Sequence, residues 1–278
     1  YYSRFIEKNI YGLNQNDTLT PAHEFEDGID FVPTGKHILF GHHFTSIAGA
    51  APIVGPCIAA FWGWLPAFLW VIFGTIFMGA VHDFGSLVIS IREKGQSIPI
   101  IAEKVLNNRS KMMFLIFVLM LVWLVLAVFS MVIANLFVSV PSAVLPINIE
   151  IIIALGIGWL LYKKKSSSLI LSLIALVILY GFVWIGTRFP LSFENFGLSI
   201  VDQTNLWIIL LLIYAGIASL LPVWLLLQPR DFINSHQLIV GLIMIYSGLF
   251  IAQPMIEAPA IRLNVPDAPP IFPFLFVT

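Results

Sequence analysis

Polar positions crowd the first forty residues, then give way to long apolar runs. Residues 1–40, with the acidic stretch "HEFEDGID" at 23–30, read as a polar, loop-rich segment. From residue 41 to 278 the pattern is that of a transmembrane helical domain. Its apolar stretches lie at about 44–61, 64–91, 112–140, 147–162, 168–187, 205–228 and 236–253, with the start of another at 271–278. A helix rising 1.5 Å per residue needs ~20 apolar residues to cross a bilayer core of ~30 Å. The stretches 64–91, 112–140, 168–187 and 205–228 meet that length. Those at 44–61, 147–162 and 236–253 are short enough to stand nearly upright, to break or to re-enter. The pattern predicts an all-α, polytopic transmembrane bundle with a broken or kinked helix near 44–61.

Composition supports a lipid setting. Hydrophobic residues make up 59% of the chain and charged residues 10%, against ~25% charged in a soluble domain. A net charge of −1 without a basic patch excludes nucleic acid as a partner; membrane lipid is the partner the apolar runs require. Basic residues gather between the second and third stretches (Arg92, Lys94, Lys104, Arg109, Lys111), at Lys163, Lys164 and Lys165, and at Arg230. The alternate loops carry Arg188 and Arg262 alone. The positive-inside rule therefore places loops 92–111, 163–165 and 229–235 in the cytoplasm. The amphipathic stretch 97–106 fits a helix on the inner membrane surface or a solvated loop helix equally well. Trp62, Trp64, Trp184 and Trp207 fall near predicted membrane boundaries, as interfacial anchors do. The lone Cys57 reads as a small apolar packing residue. The chain opens without Met and closes on an apolar run too short to span, so it is expected to be part of a longer protein.

Chemistry concentrates in two stretches. The first is "GHHFTSIAGAAPIVGP", 41–56. Pro52 and Pro56 lack the N–H that the carbonyls of Ala48 and Pro52 would accept from, and lipid offers no substitute donor. A Pro-kinked helix with small residues for packing is the plainer account. Two prolines, four glycines from 41 to 63 and paired histidines at the entrance favour a functional one. Discontinuous helices of this kind line substrate sites in secondary transporters. The expectation is unwinding near Gly49–Pro56, with Gly49, Ala50, Ala51, Pro52, Gly55 and Pro56 contacting substrate through their backbone. The second stretch is "GTIFMGAVHDFGSLVIS", 74–90. Thr75, Gly79, His82 or Asp83, Ser86 and Ser90 recur every three or four residues and form one helical stripe. Thr75 and Ser86 join the expected substrate contacts. Asp83 precedes Arg92 by nine residues, ~13 Å of helix, which places a carboxyl deep in the membrane. Intramembrane ionisable groups mark pathways by default, and a structural Asp bonded to another helix is the alternative. Asp83 is thus the expected proton-coupling residue, with His82 beside it and His42 or His43 as relay. Arg230 and Asp231, in "LLQPRDFINSHQ", read as a structural ion pair or an inner gate. Asn135 and Gln203 read as helix-to-helix hydrogen bonds.

No Walker A, GxGxxG, GxSxG or HExxH pattern is present, so neither a catalytic triad, a metal site nor a cofactor is expected. "FGHHFTSIAGAAPIVGP", "GAVHDFGSLVIS", "LPVWLLLQPRDFINSHQ" and "APPIFPFLFVT" closely resemble the carbon starvation protein A (CstA) family, and the likeness runs from "YYSRF" to the last residue. The resemblance implies a bacterial inner-membrane transporter, longer than this chain, with an apolar helix before "YYSRF" and more helices after "PFLFVT". It implies uptake of peptides or pyruvate during carbon starvation, with proton symport in the pyruvate branch. The substrate partner is then a small molecule, moved with a proton. Two other classes stay open from the residues alone. A passive channel for small organic solutes would show no uphill accumulation. An intramembrane enzyme would need His42, His43 and Asp83 gathered around a nucleophile.

Overall fold

The computed structural model describes residues 2–13, 19–49, 51–164, 168–262 and 269–277. Among them no strand occurs. In chain order the helices begin with α1 (Tyr2–Phe5), a π-helical turn (Ile6–Ile10), α2 (Pro21–Glu24), α3 (Lys36–Ile47), α4 (Ala51–Ala59), α5 (Trp64–Gly74), α6 (Ala80–Arg92) and α7 (Ile98–Val105). Then follow α8 (Asn108–Ser139), α9 (Val144–Lys164), α10 (Ser168–Arg188), α11 (Ile200–Ser219), α12 (Leu227–Ala252) and α13 (Ile271–Val277). A second π turn, Thr75–Gly79, joins α5 to α6. Among the described residues six helical stretches are long and apolar enough to cross a membrane: Trp64–Arg92, Asn108–Ser139, Pro141–Leu161, Leu169–Arg188, Ile200–Ser219 and Leu227–Ala252. The chain is a multi-pass, all-α membrane protein.

The stretch expected at 44–61 is not one of the six. It is split between α3, which ends at Ile47, and α4, which starts at Ala51. The break falls earlier than expected, at Ala48 and Gly49; Ala50 lies outside the described residues. Pro52 is the second residue of α4, where a helix uses no N–H. It therefore opens a helix rather than unwinding one, and Gly55 and Pro56 both lie inside α4.

A second correction concerns residues 220–236. The span expected at 205–228 ends at Ser219, and the one expected at 236–253 begins at Leu227. Residues 229–235 are thus helix and not loop. Pro229 sits in the first turn of α12, where its missing N–H leaves no bond unmade, and Arg230 N–H bonds Leu226 O at 3.1 Å. Arg230 leaves the connecting loop, and the expected orientation then rests on the 92–111 loop and the lysines after Leu161.

The chain divides into two compact units. The first comprises Tyr1–Glu26, Ala48–Phe117 and Gln253–Thr278. Its N-terminal segment packs along the Trp64–Arg92 span: Tyr2 meets Phe77 edge-on at 5.6 Å and Tyr11 meets Phe84 at 5.5 Å. The Arg92 guanidinium donates to the Tyr11 carbonyl. Trp62, read from sequence as an interfacial anchor, is instead 2% exposed and packs with Ala59, Ala67 and Leu275. Its indole N–H reaches Pro269 O at 3.1 Å. Gly63, at φ +102°, is required here, since a Cβ would collide with the Ala260 carbonyl. The amphipathic stretch before α8 forms α7, tied by Lys104–Glu93 (2.8 Å) and Lys111–Glu103 (2.6 Å).

The second unit comprises Asp27–Ile47 and Val118–Ala252. α3, which runs through residues 36–40, belongs to this unit. Its core joins α9, α10 and α12 through Ala154, Ala175, Leu179, Leu226 and Ile233. Backbones come close at glycines, as small residues allow between membrane helices. A Cβ on Gly158 would strike the Leu225 carbonyl, and one on Gly41 would meet Phe232 Cδ2 and Ser235 Oγ at 2.8 Å each. Gln203 does not bridge helices as expected; its amide donates to Leu198 O at 3.1 Å, within its own helix start.

Candidate functional site

In the first unit, Pro52, Gly55 and Pro56 of α4 share a cavity of about 260 Å³ with Trp70, Thr75 and Gly79. Four of the expected substrate contacts therefore meet: Pro52, Gly55, Pro56 and Thr75. The cavity joins two irregular helices, since Thr75–Gly79 is the π turn and Pro56 offers no N–H to the Pro52 carbonyl. Its polar side-chain groups are the Thr75 hydroxyl and the Trp70 indole. Gly49 lies at the bend before α4, Ala51 opens α4, and Ala50 lies outside the described residues. Ser86 is half-buried on α6 and does not line this cavity.

The expected stripe from Thr75 to Ser90 is broken for a physical reason. A π turn closes i→i+5 bonds and holds an extra residue per turn. Every side chain beyond it is rotated by ~100° relative to an unbroken α-helix. Thr75 and Gly79 thus face the cavity while His82, Asp83 and Ser86 do not line it. Asp83 stands in the first turn of α6, with His82 Nδ1 at 3.2 Å from its Oδ1. Both side chains are open, 46% exposed for Asp83 and 80% for His82. The two adjacent side chains converge, although their positions on a helix point apart.

His42 belongs to the second unit and has a different partner from the expected one. Its Nδ1–H donates to Asp231 Oδ2 at 2.7 Å, and Thr45 Oγ1 donates to the Asp231 carbonyl at 2.9 Å. Asp231 is buried, and Arg230 Nε lies 3.8 Å from its other oxygen. The gate pair Arg230–Asp231 is therefore one end of a His42–Asp231–Arg230 chain that fastens α3 to α12. Gly41 makes this possible by letting α3 approach Phe232 and Ser235. His43, one residue on, is exposed. Within its own unit Asp83 is paired with His82, and His42 with Asp231.

Sequence reading passed over Glu150. It sits near the start of α9 and is 8% exposed, and its Oε1 has no hydrogen-bond partner. It lines a cavity of about 390 Å³ in the second unit with Trp207, Tyr214, Arg230, Asn234 and Gln237. The overlooked signal was a carboxylate in "NIEIIIALGIGW", an otherwise uncharged span. Among the described residues no group of His, Cys, Asp and Glu is arranged to hold a metal ion.

The family model described as carbon starvation protein CstA matches residues 1–278. The chain is 36% identical over 282 residues to a protein of Bacillus subtilis (strain 168) named peptide transporter CstA, covering 100% of this chain and 46% of that one. It is 33% identical to the peptide transporter CstA of Escherichia coli (strain K12), again over 100% of this chain and 40% of the relative. It is 31% identical to the pyruvate/proton symporter BtsT of the same strain, over 100% of this chain and 39% of that protein. The chain thus spans less than half the length of these relatives. No solved structure matches it.

Proposed function

The chain belongs to the carbon starvation protein CstA family, and from that premise we propose that it is part of a secondary active transporter of the bacterial plasma membrane. Its task is proton-coupled uptake of peptides or pyruvate during carbon starvation. The observation that carries this reading is the short proline-containing helix α4, which lines a cavity with the π turn of the next span. Broken helices at a cavity are how membrane proteins present backbone groups to a solute without exposing them to lipid. In this reading Pro52, Gly55, Pro56 and Thr75 contact substrate, with Gly49, Ala50, Ala51 and Ser86 flanking them. Asp83, with His82, carries the coupled proton. His42 is hydrogen-bonded to Asp231, which with Arg230 forms the inner gate, and His42 or His43 relays the proton.

Relatives named for peptide and for pyruvate transport make both substrates worth testing. The test is uptake into proteoliposomes carrying the full-length protein, with a pH gradient imposed and with pyruvate and dipeptides compared. Uphill accumulation driven by the gradient is expected for the wild type. Asp83→Asn should insert normally yet lose gradient-driven uptake. Wild-type uptake in that variant would remove Asp83 from the mechanism, and flux without accumulation would favour the channel.

A further inference from the structure

The two cavities differ in chemistry. The one beside α4 offers a hydroxyl and an indole and no charged side chain. The one in the second unit, about 390 Å³, has a carboxylate and a guanidinium in the same wall system, with amides between them. Glu150 comes from α9, Trp207 and Tyr214 from α11, and Arg230, Asn234 and Gln237 from α12. Glu150 is 8% exposed; the Asn234 amide is its hydrogen-bond partner, and its Oε1 lacks a hydrogen bond. No cation lies within ion-pair distance of it among the described residues. Arg230 is half-held: its Nη1 donates to the Tyr214 hydroxyl at 3.0 Å, while its Nε makes no hydrogen bond and stands 3.8 Å from Asp231. Asp231 is meanwhile engaged by His42 at 2.7 Å, which divides its charge between two partners.

A carboxyl with one oxygen unbonded and no ion-pair partner, and a loosely paired guanidinium, are costly in one apolar-walled cavity. A ligand bearing one ammonium and one carboxylate relieves both at once, and brings no net charge into the membrane. We propose that this cavity binds a small zwitterion, with the ammonium on Glu150 and the carboxylate on Arg230 and Gln237. Charge-assisted hydrogen bonds of this kind are the strong ones. The volume suits a solute of dipeptide size, and a keto acid leaves Glu150 unmet. The α4 cavity, lacking charged side chains, does not supply this recognition. The inference rests on the reading of the chain as part of a transporter.

The test measures binding of labelled dialanine to the purified full-length protein, with competition by N-acetyl-dialanine, dialanine amide and pyruvate. Wild type should bind dialanine about tenfold or more tightly than either blocked form. Glu150→Gln should weaken dialanine by about the same factor and abolish discrimination against the acetylated form, while Arg230→Gln should abolish discrimination against the amide. Wild-type protein that binds both blocked forms as well as dialanine overturns the proposal without recourse to any variant. A folded Glu150→Gln protein, judged by an unchanged melting temperature, that keeps wild-type selectivity overturns it too. Accumulation of pyruvate with no dialanine binding would sink this site and leave the transporter reading intact. Selective dialanine binding without gradient-driven uptake would leave this site standing and sink the transporter reading.

Discussion

At the residue scale, the pair His42–Asp231 shows how a buried acid is made tolerable. Asp231 takes one hydrogen bond from an imidazole at 2.7 Å, and Thr45 holds its backbone from the same helix. Removing the donor leaves a buried carboxyl under-satisfied, which costs about 1–3 kcal/mol. His42→Ala should therefore lower the melting temperature in detergent by several degrees, and adding Asp231→Asn should restore part of the loss. Additive losses in the double variant would mean that the two side chains do not act on each other. Asp27 illustrates a different device, outside the membrane. Its Oδ1 accepts the N–H groups of Ile29, Asp30 and Phe31 at 2.8–2.9 Å. These bonds, led by that of Phe31, hold the carboxyl below its ordinary value of 3.8. A lowered carboxylate stabilises its loop above the ordinary range and releases it as pH falls through the folded value. Amide protection at Ile29 and Phe31 should accordingly hold at neutral pH and fade in strong acid, while Asp27→Ala should lose it at every pH.

At the element scale, proline and glycine decide where helices start and how near they come. Pro52 and Pro229 both read in sequence as breakers, and both sit in a first turn. Glycines two residues apart on α9 make opposite predictions. Gly158 touches the Leu225 carbonyl, so Gly158→Ala must push α9 away from the segment entering α12. Gly156 has nothing within 4 Å of its missing Cβ. Gly156→Ala should leave stability unchanged or raise it by up to ~1 kcal/mol through helix propensity. Gly158→Ala should lower it by about 1–3 kcal/mol through overpacking. Thermal melts of the two variants side by side decide the matter; equal shifts would contradict the close approach. The π turn at 75–79 has the widest reach of any local irregularity, since it turns the Asp83 face away from the α4 cavity.

At the scale of the whole molecule, the surface is that of a protein made for lipid. The most apolar window of α8 has none of its residues buried within the chain, although α8 is 32 residues long. Without water in the bilayer core, association between such helices relies on packing and hydrogen bonds rather than on hydrophobic burial. This agrees with the close glycine contacts and with the small number of buried polar bonds just described. From the basic residues of the α6–α8 connection, the positive-inside rule predicts that it lies in the cytoplasm. In a protein whose exposed Cys57 is first replaced by Ala, Lys94→Cys should react with an impermeant thiol reagent in inside-out vesicles and not in intact cells. A cysteine at Glu194, in the α10–α11 connection, should show the reverse. Labelling of both from one side would overturn the orientation.

Sequence alone determined the class of solvent and the run of apolar stretches, because a bilayer demands ~20 apolar residues whatever the neighbours do. That six of the described helices are long enough to span was decided by the structure. Sequence also placed a helix interruption within 44–61, but the break falls at Ala48 and Gly49, and Pro52 lies in the first turn of the next helix. Partners were another matter. The pairing of His42 with Asp231 joins positions 189 residues apart, and no local pattern carries that distance. Glu150 was overlooked because one carboxylate in an apolar run looks alike whether it faces lipid, a helix or a cavity. Only the packing of α9, α11 and α12 around it decided which, just as only the extra residue of a π turn decided which face Asp83 would occupy.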